Sequence, residues 1–269
     1  MSPISLIIVC CLTLIIHFIS IISLSARIVG TRTQRVASSA SIFNIISLVA
    51  QFSNTIQGPL LAKSIEKSIT TGQAPDHFIF RVIILSATVG CTLGGFAIPS
   101  IHRFMKRGVD SLYLHRSVFR VFMSALHIKT LTYFYESITI PSLKNLTNLK
   151  RYPDTPFGLI ALNAFVYSFT TVSVLACLYA GFLNPNLRST ALSMTGVSIG
   201  LGSIGMMLFI EPYSATLTDK VIDGSITEGH FRRYITFIVI ARTIGTLLAQ
   251  FLIIPMAKFI IWLAEVLYA

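Results

Sequence analysis

The stretch FGLIALNAFVYSFTTVSVLACLYAGFL, residues 157–183, contains no Asp, Glu, Lys or Arg. A helix needs about 20 apolar residues to cross the hydrocarbon core of a bilayer, and this stretch is long enough. Strands that cross a membrane in a closed barrel are shorter, with polar and apolar residues alternating. The stretch therefore predicts a transmembrane helix.

Five further apolar stretches have a similar length, so the fold class that we expect is an all-α, polytopic bundle of about six transmembrane helices. The predicted spans are 4–24, 36–61, 82–101, 157–183, 191–210 and 234–257. Only 12% of the 269 residues are charged, whereas soluble domains carry roughly 25%. We expect residues 1–269 to form a single integral membrane domain.

Basic residues predict how the chain is oriented in the membrane. The loops after the first, third and fifth spans hold most of the 21 lysines and arginines. Because these residues accumulate in cytoplasmic loops, the pattern predicts the three loops inside and both termini outside. The net charge of +11 is then explained by orientation and by contact with anionic membrane lipids, and we expect no binding of nucleic acid.

The loop between the third and fourth spans contains a segment, at about 111–138, with helical periodicity. Its basic face consists of Arg116, Arg120 and His127. Its apolar face consists of Val118, Val121, Phe122 and Ala125. This pattern is typical of an amphipathic helix that lies in the membrane interface. The alternative is a short cytoplasmic helix that packs on the spans.

Polar side chains form a stripe along the second span, at positions that recur with the period of a helix. The stripe consists of Ser41, Asn44, Ser47, Gln51, Asn54, Thr55 and Gly58. Because polar groups are costly in lipid, we expect the stripe to face other helices or water. It indicates either one wall of a polar cavity or hydrogen bonds between helices. Asn44, Gln51 and Asn54 are candidate substrate-binding residues.

Arg242 lies inside the sixth span, with Thr246 and Gln250 on nearly the same face. A charge within a span indicates a functional site, and a guanidinium suits a phosphate or carboxylate partner. The alternatives are a structural ion pair with Glu211 and snorkelling to the inner interface. We therefore include Arg242 among the candidate substrate-binding residues.

Other residues within the spans indicate packing rather than chemistry. Gly90 with Gly94, and Gly196 with Gly200, have the spacing of close helix contacts. The four cysteines and His17 also fall within predicted spans. We expect the cysteines to be small apolar packing residues, and His17 to pack or to form hydrogen bonds rather than to relay protons. The sequence has no catalytic motif and no metal-ligand spacing, so we expect no catalytic residue, no metal and no cofactor.

Three strings near the start of the chain resemble a known family. They are RIVGTRTQR at 27–35, FNII at 43–46 and QFSNTIQGPLLAK at 51–63. These strings are similar to the Amj family of bacterial alternate lipid II flippases. The resemblance implies a multi-pass protein of the bacterial cell membrane. It also implies the transport of lipid II, the lipid-linked peptidoglycan precursor, from the inner to the outer leaflet.

The lipid II hypothesis gives Arg27, Arg32 and Arg35 a role at the predicted cytoplasmic mouth, where they would gather the pyrophosphate. The alternative for these arginines is orientation and contact with lipid headgroups. Two other functions stay open. One is a membrane enzyme that acts on a lipid-linked envelope precursor through Glu211 or His230, and the other is a non-transporting scaffold for envelope synthesis. The oligomeric state and the energy source also stay open.

Overall fold

The computed structural model describes residues 3–72, 77–117, 119–120, 123, 128–139 and 156–268, and this part of the chain contains helices and no strand. The elements are α1 (Pro3–Ile22), α2 (Ser25–Thr33), α3 (Val36–Thr70), α4 (His77–His115), α5 (Ile128–Ser137), α6 (Phe157–Leu183), a 3₁₀ turn (Pro185–Leu187), α7 (Arg188–Ser193), α8 (Thr195–Gly205), a π-helical segment (Met206–Ile210), α9 (Glu211–Ile222) and α10 (Glu228–Tyr268). Six helical segments are long and apolar enough to cross a membrane, so the predicted all-α polytopic bundle is confirmed.

Three helices extend well beyond the predicted spans. α3 continues past 61 to Thr70, α4 continues past 101 to His115, and α10 starts before 234 and ends after 257. A helix satisfies its own backbone hydrogen bonds, so it continues where its side chains change from apolar to charged. The apolar pattern therefore marks the membrane core but not the helix ends. The fourth predicted span, 157–183, agrees with α6 at both ends.

The first and fifth predicted spans are interrupted or extended by other elements. After α1 the chain forms α2, so the basic segment that we expected to be a loop is helical. The fifth span is divided between α7, α8 and the π-helical segment, and α9 continues it. π-helical turns are rare, and the hydropathy pattern does not predict them. A 3₁₀ turn at Pro185–Leu187 follows α6, and α8 packs back against α6.

The helices run between two ends of the bundle. We name the end with α2 the arginine end, and the end where Arg188 forms an ion pair with Glu66 the distal end. Through the middle of the bundle α4 contacts both α1 and α10, and α10 contacts α6. α3 lies mainly against α1, and α8 lies mainly against α6. Side chains at the meeting of α1, α4, α6 and α10 are therefore enclosed by helices.

Glycine residues bring α1 close to α4. A Cβ atom at Gly90 would meet the backbone carbonyl oxygen of Leu14, and one at Gly94 would lie 2.8 Å from Cβ of Ile21. The predicted close contact at this pair of glycines is confirmed. The same prediction for Gly196 and Gly200 is wrong, because a Cβ at either position would have no neighbour within 4 Å in the part of the chain that the structure describes.

The segment predicted to be amphipathic is not one continuous helix. α4 includes its first residues and ends at His115, where Arg116 adopts a left-handed φ of 49°. Most of 118–127, including the apolar face and His127, lies outside the described residues. α5 covers the end of the segment and packs against α4. Its placement in the membrane interface stays a prediction.

Candidate functional site

We name residues 25–35, which comprise α2 and the connection to α3, the α2 segment. Each of its three arginines is paired with a carboxylate from another element. Arg27 forms an ion pair with Glu211 at the start of α9, Arg32 Nε lies 2.6 Å from an oxygen of Glu228 in α10, and Arg35 Nη1 lies 2.5 Å from Asp110 in α4. These pairs tie the segment to three other helices. Each arginine is partly exposed, but its guanidinium already has an anionic partner.

Pairing at the arginine end changes two expectations from the sequence. The predicted structural pair between Arg242 and Glu211 is wrong, since Glu211 contacts Arg27 instead. The same contact engages one of the two side chains proposed for a membrane enzyme. Substrate binding by Arg27, Arg32 and Arg35 stays a prediction. Each guanidinium would have to bind the substrate either beside its carboxylate partner or in place of it.

The polar stripe of α3 lies on the outside of the bundle. Its most exposed members are Ser41, Asn44, Gln51, Asn54 and Thr55. Ser41 and Thr55 donate hydrogen bonds to carbonyl oxygens of their own helix rather than to other helices. The alternative of interhelical glue is therefore wrong for these two side chains, and the exposed amides face whatever surrounds the bundle.

Gln57, the amide outside the stripe, is the one that the structure buries. Its side chain is 6% exposed, and its Nε2 donates to Thr13 Oγ1 of α1 at 2.7 Å. Thr13 in turn donates to the carbonyl oxygen of Val9 at 2.8 Å. The expectation that the stripe itself turns inward is therefore wrong, and a neighbouring amide forms the interhelical hydrogen bond.

Arg242 lies at the meeting of α1, α6 and α10 and is only 8% exposed. Its Nη1 donates to the carbonyl oxygen of Ser20 at 3.2 Å and to Ser20 Oγ at 3.4 Å. Its Cζ lies 5.2 Å from the centre of the Tyr167 ring. Among the described residues, the buried Nε has no hydrogen-bond partner and no carboxylate lies within 4 Å of the guanidinium.

A network of polar side chains surrounds this arginine, and we name His17, Ser20, Cys91, Tyr167 and Arg242 the central cluster. The Tyr167 hydroxyl lies 3.0 Å from His17 Nδ1 and 3.3 Å from Ser20 Oγ. Cys91 Sγ lies 3.8 Å from the same histidine nitrogen. The expectation that His17 forms a hydrogen bond is confirmed, and so is the expectation that Cys91 packs, since Cys91 is fully buried.

The central cluster depends on close backbone contacts. Gly90 and Gly94 bring α1 against α4, and thus place His17 beside Cys91. Gly245, one turn after Arg242, brings α10 against α6, because a Cβ there would lie 3.2 Å from Cβ of Tyr167. The role of Tyr167 was not predicted. Its only sequence signal is a hydroxyl in the middle of an apolar span.

An unpaired buried guanidinium is energetically costly. Removing an ion from water costs several kcal/mol even after relaxation, and neutral hydrogen bonds offset this only in part. The ring of Tyr167 adds a cation–π attraction of about 1–2 kcal/mol when desolvated. The central cluster therefore holds a positive charge that a bound anion would stabilise further.

Two cavities with basic walls lie at opposite ends of the bundle. The cavity at the arginine end has a volume of about 310 Å³ and is lined by Val29, Arg32, His102, Arg103, Lys106, Tyr133, Glu136 and Ser137. The cavity at the distal end has a volume of about 460 Å³ and is lined by Ser5, Leu60, Lys63, Ser64, Glu66, Lys67 and Thr70. Of the predicted site residues, only Arg32 lines one of these two cavities, that at the arginine end. No residue of the central cluster lines either cavity.

Comparison with known proteins identifies the family. The family model named Amj, described as alternate to MurJ, matches residues 12–264. The chain belongs to the Amj family. A curated relative from Bacillus subtilis (strain 168), named lipid II flippase Amj, is 30% identical over 256 residues, which are 95% of each chain. No solved structure matches this chain.

The Amj match covers the whole central cluster and the cavity at the arginine end. It confirms the resemblance given by the strings at 27–35, 43–46 and 51–63, which lie in α2, in α3 and in the short connection between them. Together with the six apolar helical segments, membership of the Amj family identifies a multi-pass membrane protein.

The acidic residues around the turn between α9 and α10 have structural partners. Glu228 pairs with Arg32, and Asp223 Oδ1 accepts a hydrogen bond from the backbone N–H of Ser225 at 2.8 Å. Hydrogen bonds from Ser225 lower the pKa of the Asp223 carboxyl below its usual value. The described residues contain no group of His, Cys, Asp and Glu that would hold a metal ion.

Proposed function

We propose that this Amj family member is a lipid II flippase. It moves the undecaprenyl-linked peptidoglycan precursor from the inner to the outer leaflet of the bacterial cell membrane, where the precursor is used for cell wall synthesis. Support comes from the family match over residues 12–264 and from the relative named lipid II flippase Amj. In this proposal the chain acts as a transporter, as a single membrane domain, and not as an enzyme.

The observation that carries the proposal is the unpaired charge of Arg242. Lipid II has an anionic pyrophosphate, which is costly to bring into hydrocarbon without a cation. A buried guanidinium offers several N–H donors in a planar fork that fits phosphate oxygens. Arg242 still has a buried Nε without a partner, so it has capacity to bind an anion. We therefore propose that Arg242 binds the pyrophosphate of lipid II during transport.

Orientation of the chain follows from the basic residues at the arginine end. The α2 segment and the adjoining part of α4 supply Arg27, Arg32, Arg35, Arg103 and Lys106. Lysine and arginine accumulate on the cytoplasmic side of membrane proteins. We propose that the arginine end faces the cytoplasm, where lipid II is made, and that the distal end, with both termini, faces outside.

The exposed amides of α3 suit contact with the polar head of the substrate. Asn44, Gln51 and Asn54 lie on the outside of the bundle, where exposed polar groups are costly if they meet only acyl chains. A sugar–peptide head that travels along this face would supply hydrogen-bond partners, while its polyprenyl tail stays in lipid. Access to Arg242 then requires the helices around the central cluster to separate during transport.

The test is transport by this protein alone. Cells are depleted of their other lipid II flippases and express either this chain or an empty vector, and the access of newly made lipid II to the outer leaflet is measured. We expect access with the chain and none with the vector. If the protein is present in the membrane at normal levels and outer-leaflet lipid II does not appear, the proposed function is wrong.

A further inference from the structure

The cavity at the arginine end is formed by faces of three helices. α2 contributes Val29 and Arg32, which are three positions apart and therefore on one helix face. α4 contributes His102, Arg103 and Lys106, and α5 contributes Tyr133, Glu136 and Ser137. The spacings within α4 and α5 are also those of single helix faces. The cavity thus depends on α5 folding back along α4.

Specific contacts hold α5 in that place. The Tyr133 hydroxyl donates to the carbonyl oxygen of Arg103 at 3.0 Å, and the Arg107 guanidinium lies 3.3 Å from the centre of the Tyr133 ring. Just after α5, the backbone N–H of Thr139 donates to Ser100 Oγ at 2.9 Å. These contacts make the cavity a built feature of the fold, which none of the sequence motifs predicted.

The charges of the cavity walls are unequal. Arg32 is paired with Glu228, and Arg103 Nη1 donates to the Thr139 hydroxyl at 2.6 Å rather than to a carboxylate. Lys106 is exposed and has no carboxylate within 4 Å among the described residues. Three cations therefore line the cavity beside a single carboxylate, that of Glu136.

His102 adds a further polar group to the wall. Its side chain is 4% exposed, and Nδ1 lies 3.0 Å from the carbonyl oxygen of Ile98. A carbonyl oxygen only accepts, so Nδ1 carries the proton of this hydrogen bond. The backbone contact fixes the ring orientation of His102, and Nε2 is the ring nitrogen that takes no part in this hydrogen bond.

Size and charge together define the ligand class. A volume of about 310 Å³ is at the lower end of small-molecule sites, which span roughly 300–1,000 Å³. Cations on α2 and α4 suit the oxygens of phosphate groups, which they bind through charge-assisted hydrogen bonds. The Glu136 carboxylate can only accept, so it suits a hydroxyl or amide N–H of a sugar next to those phosphates.

We infer that this cavity is a second substrate site, which binds the diphosphate and adjoining sugar of a polyprenyl-linked precursor before the precursor reaches Arg242. The inference rests on the proposed function and deepens it. Arg103 and Lys106 bind the phosphate oxygens, and Glu136 accepts a hydrogen bond from the sugar. The site is separate from the central cluster, so the two bind the same group in succession.

Binding to purified full-length protein in lipid nanodiscs tests the site. The probes are a short-chain polyprenyl diphosphate that bears an N-acetylated sugar, the same polyprenyl diphosphate without the sugar, inorganic pyrophosphate, and phosphatidylglycerol as a competitor. Because Arg103 also contacts Thr139, the variant Lys106→Gln carries the test. Lys220→Gln, which removes an exposed lysine near the end of α9, is the matched control.

We expect Lys106→Gln to weaken binding of the sugar-bearing probe about tenfold, the size of one charge-assisted hydrogen bond. Lys220→Gln should bind like the unchanged protein. Glu136→Gln should weaken the sugar-bearing probe and leave the sugar-free probe unchanged.

Three results would overturn the inference. They are equal binding by Lys106→Gln and unchanged protein, pyrophosphate binding as tight as that of the lipid probes, and displacement of the probe by phosphatidylglycerol at equal concentration. If any of these results occurs while transport in the depleted cells is intact, the second substrate site is rejected and the proposed flippase function stands. If the probes bind as expected but the depleted cells show no transport, the proposed flippase function is rejected instead.

Discussion

The arginine end and the central cluster both contain arginine, but the residue has different partners in the two regions. At the arginine end Arg27, Arg32 and Arg35 are partly exposed, and each pairs with a carboxylate. In the central cluster Arg242 is buried and contacts a serine and an aromatic ring. Its Nε has no hydrogen-bond partner among the described residues. The difference separates arginines that hold helices together from an arginine that is available to an anion.

Magnitudes explain why the contrast matters. Partly exposed ion pairs contribute about 0.2–1 kcal/mol each, so they are readily opened and re-formed. A buried charge without a counter-ion costs several kcal/mol, and such a residue is kept in a membrane protein for a function by default. We therefore expect substitutions in the centre to affect transport strongly, and those at the arginine end to act mainly through weak stabilisation.

The largest effect should come from Arg242. Arg242→Gln removes the charge that binds the pyrophosphate, so we expect a loss of transport of about 100-fold, the size of one or two charge-assisted hydrogen bonds. Arg242→Lys keeps the charge but loses the planar fork, and it should retain an intermediate rate. The measurement is outer-leaflet access of lipid II in cells that lack other flippases.

The matched control for Arg242 is Arg81→Gln, which removes an exposed arginine from the distal part of α4. It should transport at the unchanged rate. Full transport by Arg242→Gln at normal protein levels would contradict the proposal that Arg242, unlike the arginines of the arginine end, binds the pyrophosphate.

A second effect should come from the close contact that assembles the central cluster. Gly90→Leu places a side chain against the backbone of Leu14, and such overpacking lowers the free energy of unfolding by about 1–3 kcal/mol. Each kcal/mol lowers the thermal midpoint by roughly 2–4 °C in a protein of this size. The measurement is thermal unfolding in detergent, with Gly196→Leu as the control, since a Cβ there would meet no described atom within 4 Å. Equal losses in both variants would contradict the contact.

The contrast between engaged and available side chains also occurs along α3. Gln57→Leu removes the buried hydrogen bond to Thr13 and should cost about 1 kcal/mol, as interhelical hydrogen bonds in membranes do. Asn54→Leu changes an exposed amide and should leave the thermal midpoint within error of the unchanged protein. A larger loss for Asn54→Leu would mean that the exposed stripe packs against another part of the protein.

The smallest effect should be the coupling between Arg27 and Glu211. Both side chains are partly exposed, so a double-mutant cycle with alanine should give a coupling of about 0.5 kcal/mol. The exchanged pair, Arg27→Glu with Glu211→Arg, should regain much of what either reversal alone loses. Thermal unfolding at low and high salt measures this, because salt screens exposed pairs. No recovery in the exchanged pair would show that Arg27 has a role other than holding α9.

Sequence reasoning predicted most of the membrane architecture and part of the site. Apolar stretches located six membrane segments, since a helix needs about 20 mainly apolar residues to cross the hydrocarbon core. The charge of Arg242 stood out for the same reason. The direction of the α3 stripe was wrong, because the polarity of a helix face does not say which face its neighbours cover.

Helix packing also determined which of the predicted glycine pairs forms a contact. Gly90 and Gly94 contact α1, whereas α8 approaches α6 through Gly202 and Gly205 instead of Gly196 and Gly200. The spacing of small residues is the same in both helices, so spacing alone does not distinguish them.

The sequence by itself determined that this chain crosses a membrane as helices, and that one of those helices carries a charge where lipid disfavours it. Only the tertiary structure decided that Arg27 meets Glu211 across 184 positions of the chain, while Arg242 meets Ser20 and Tyr167 and no described carboxylate. The physical reason is that hydropathy acts on each helix separately. Pairing between charges depends on which helices become neighbours, and close packing between distant segments sets that.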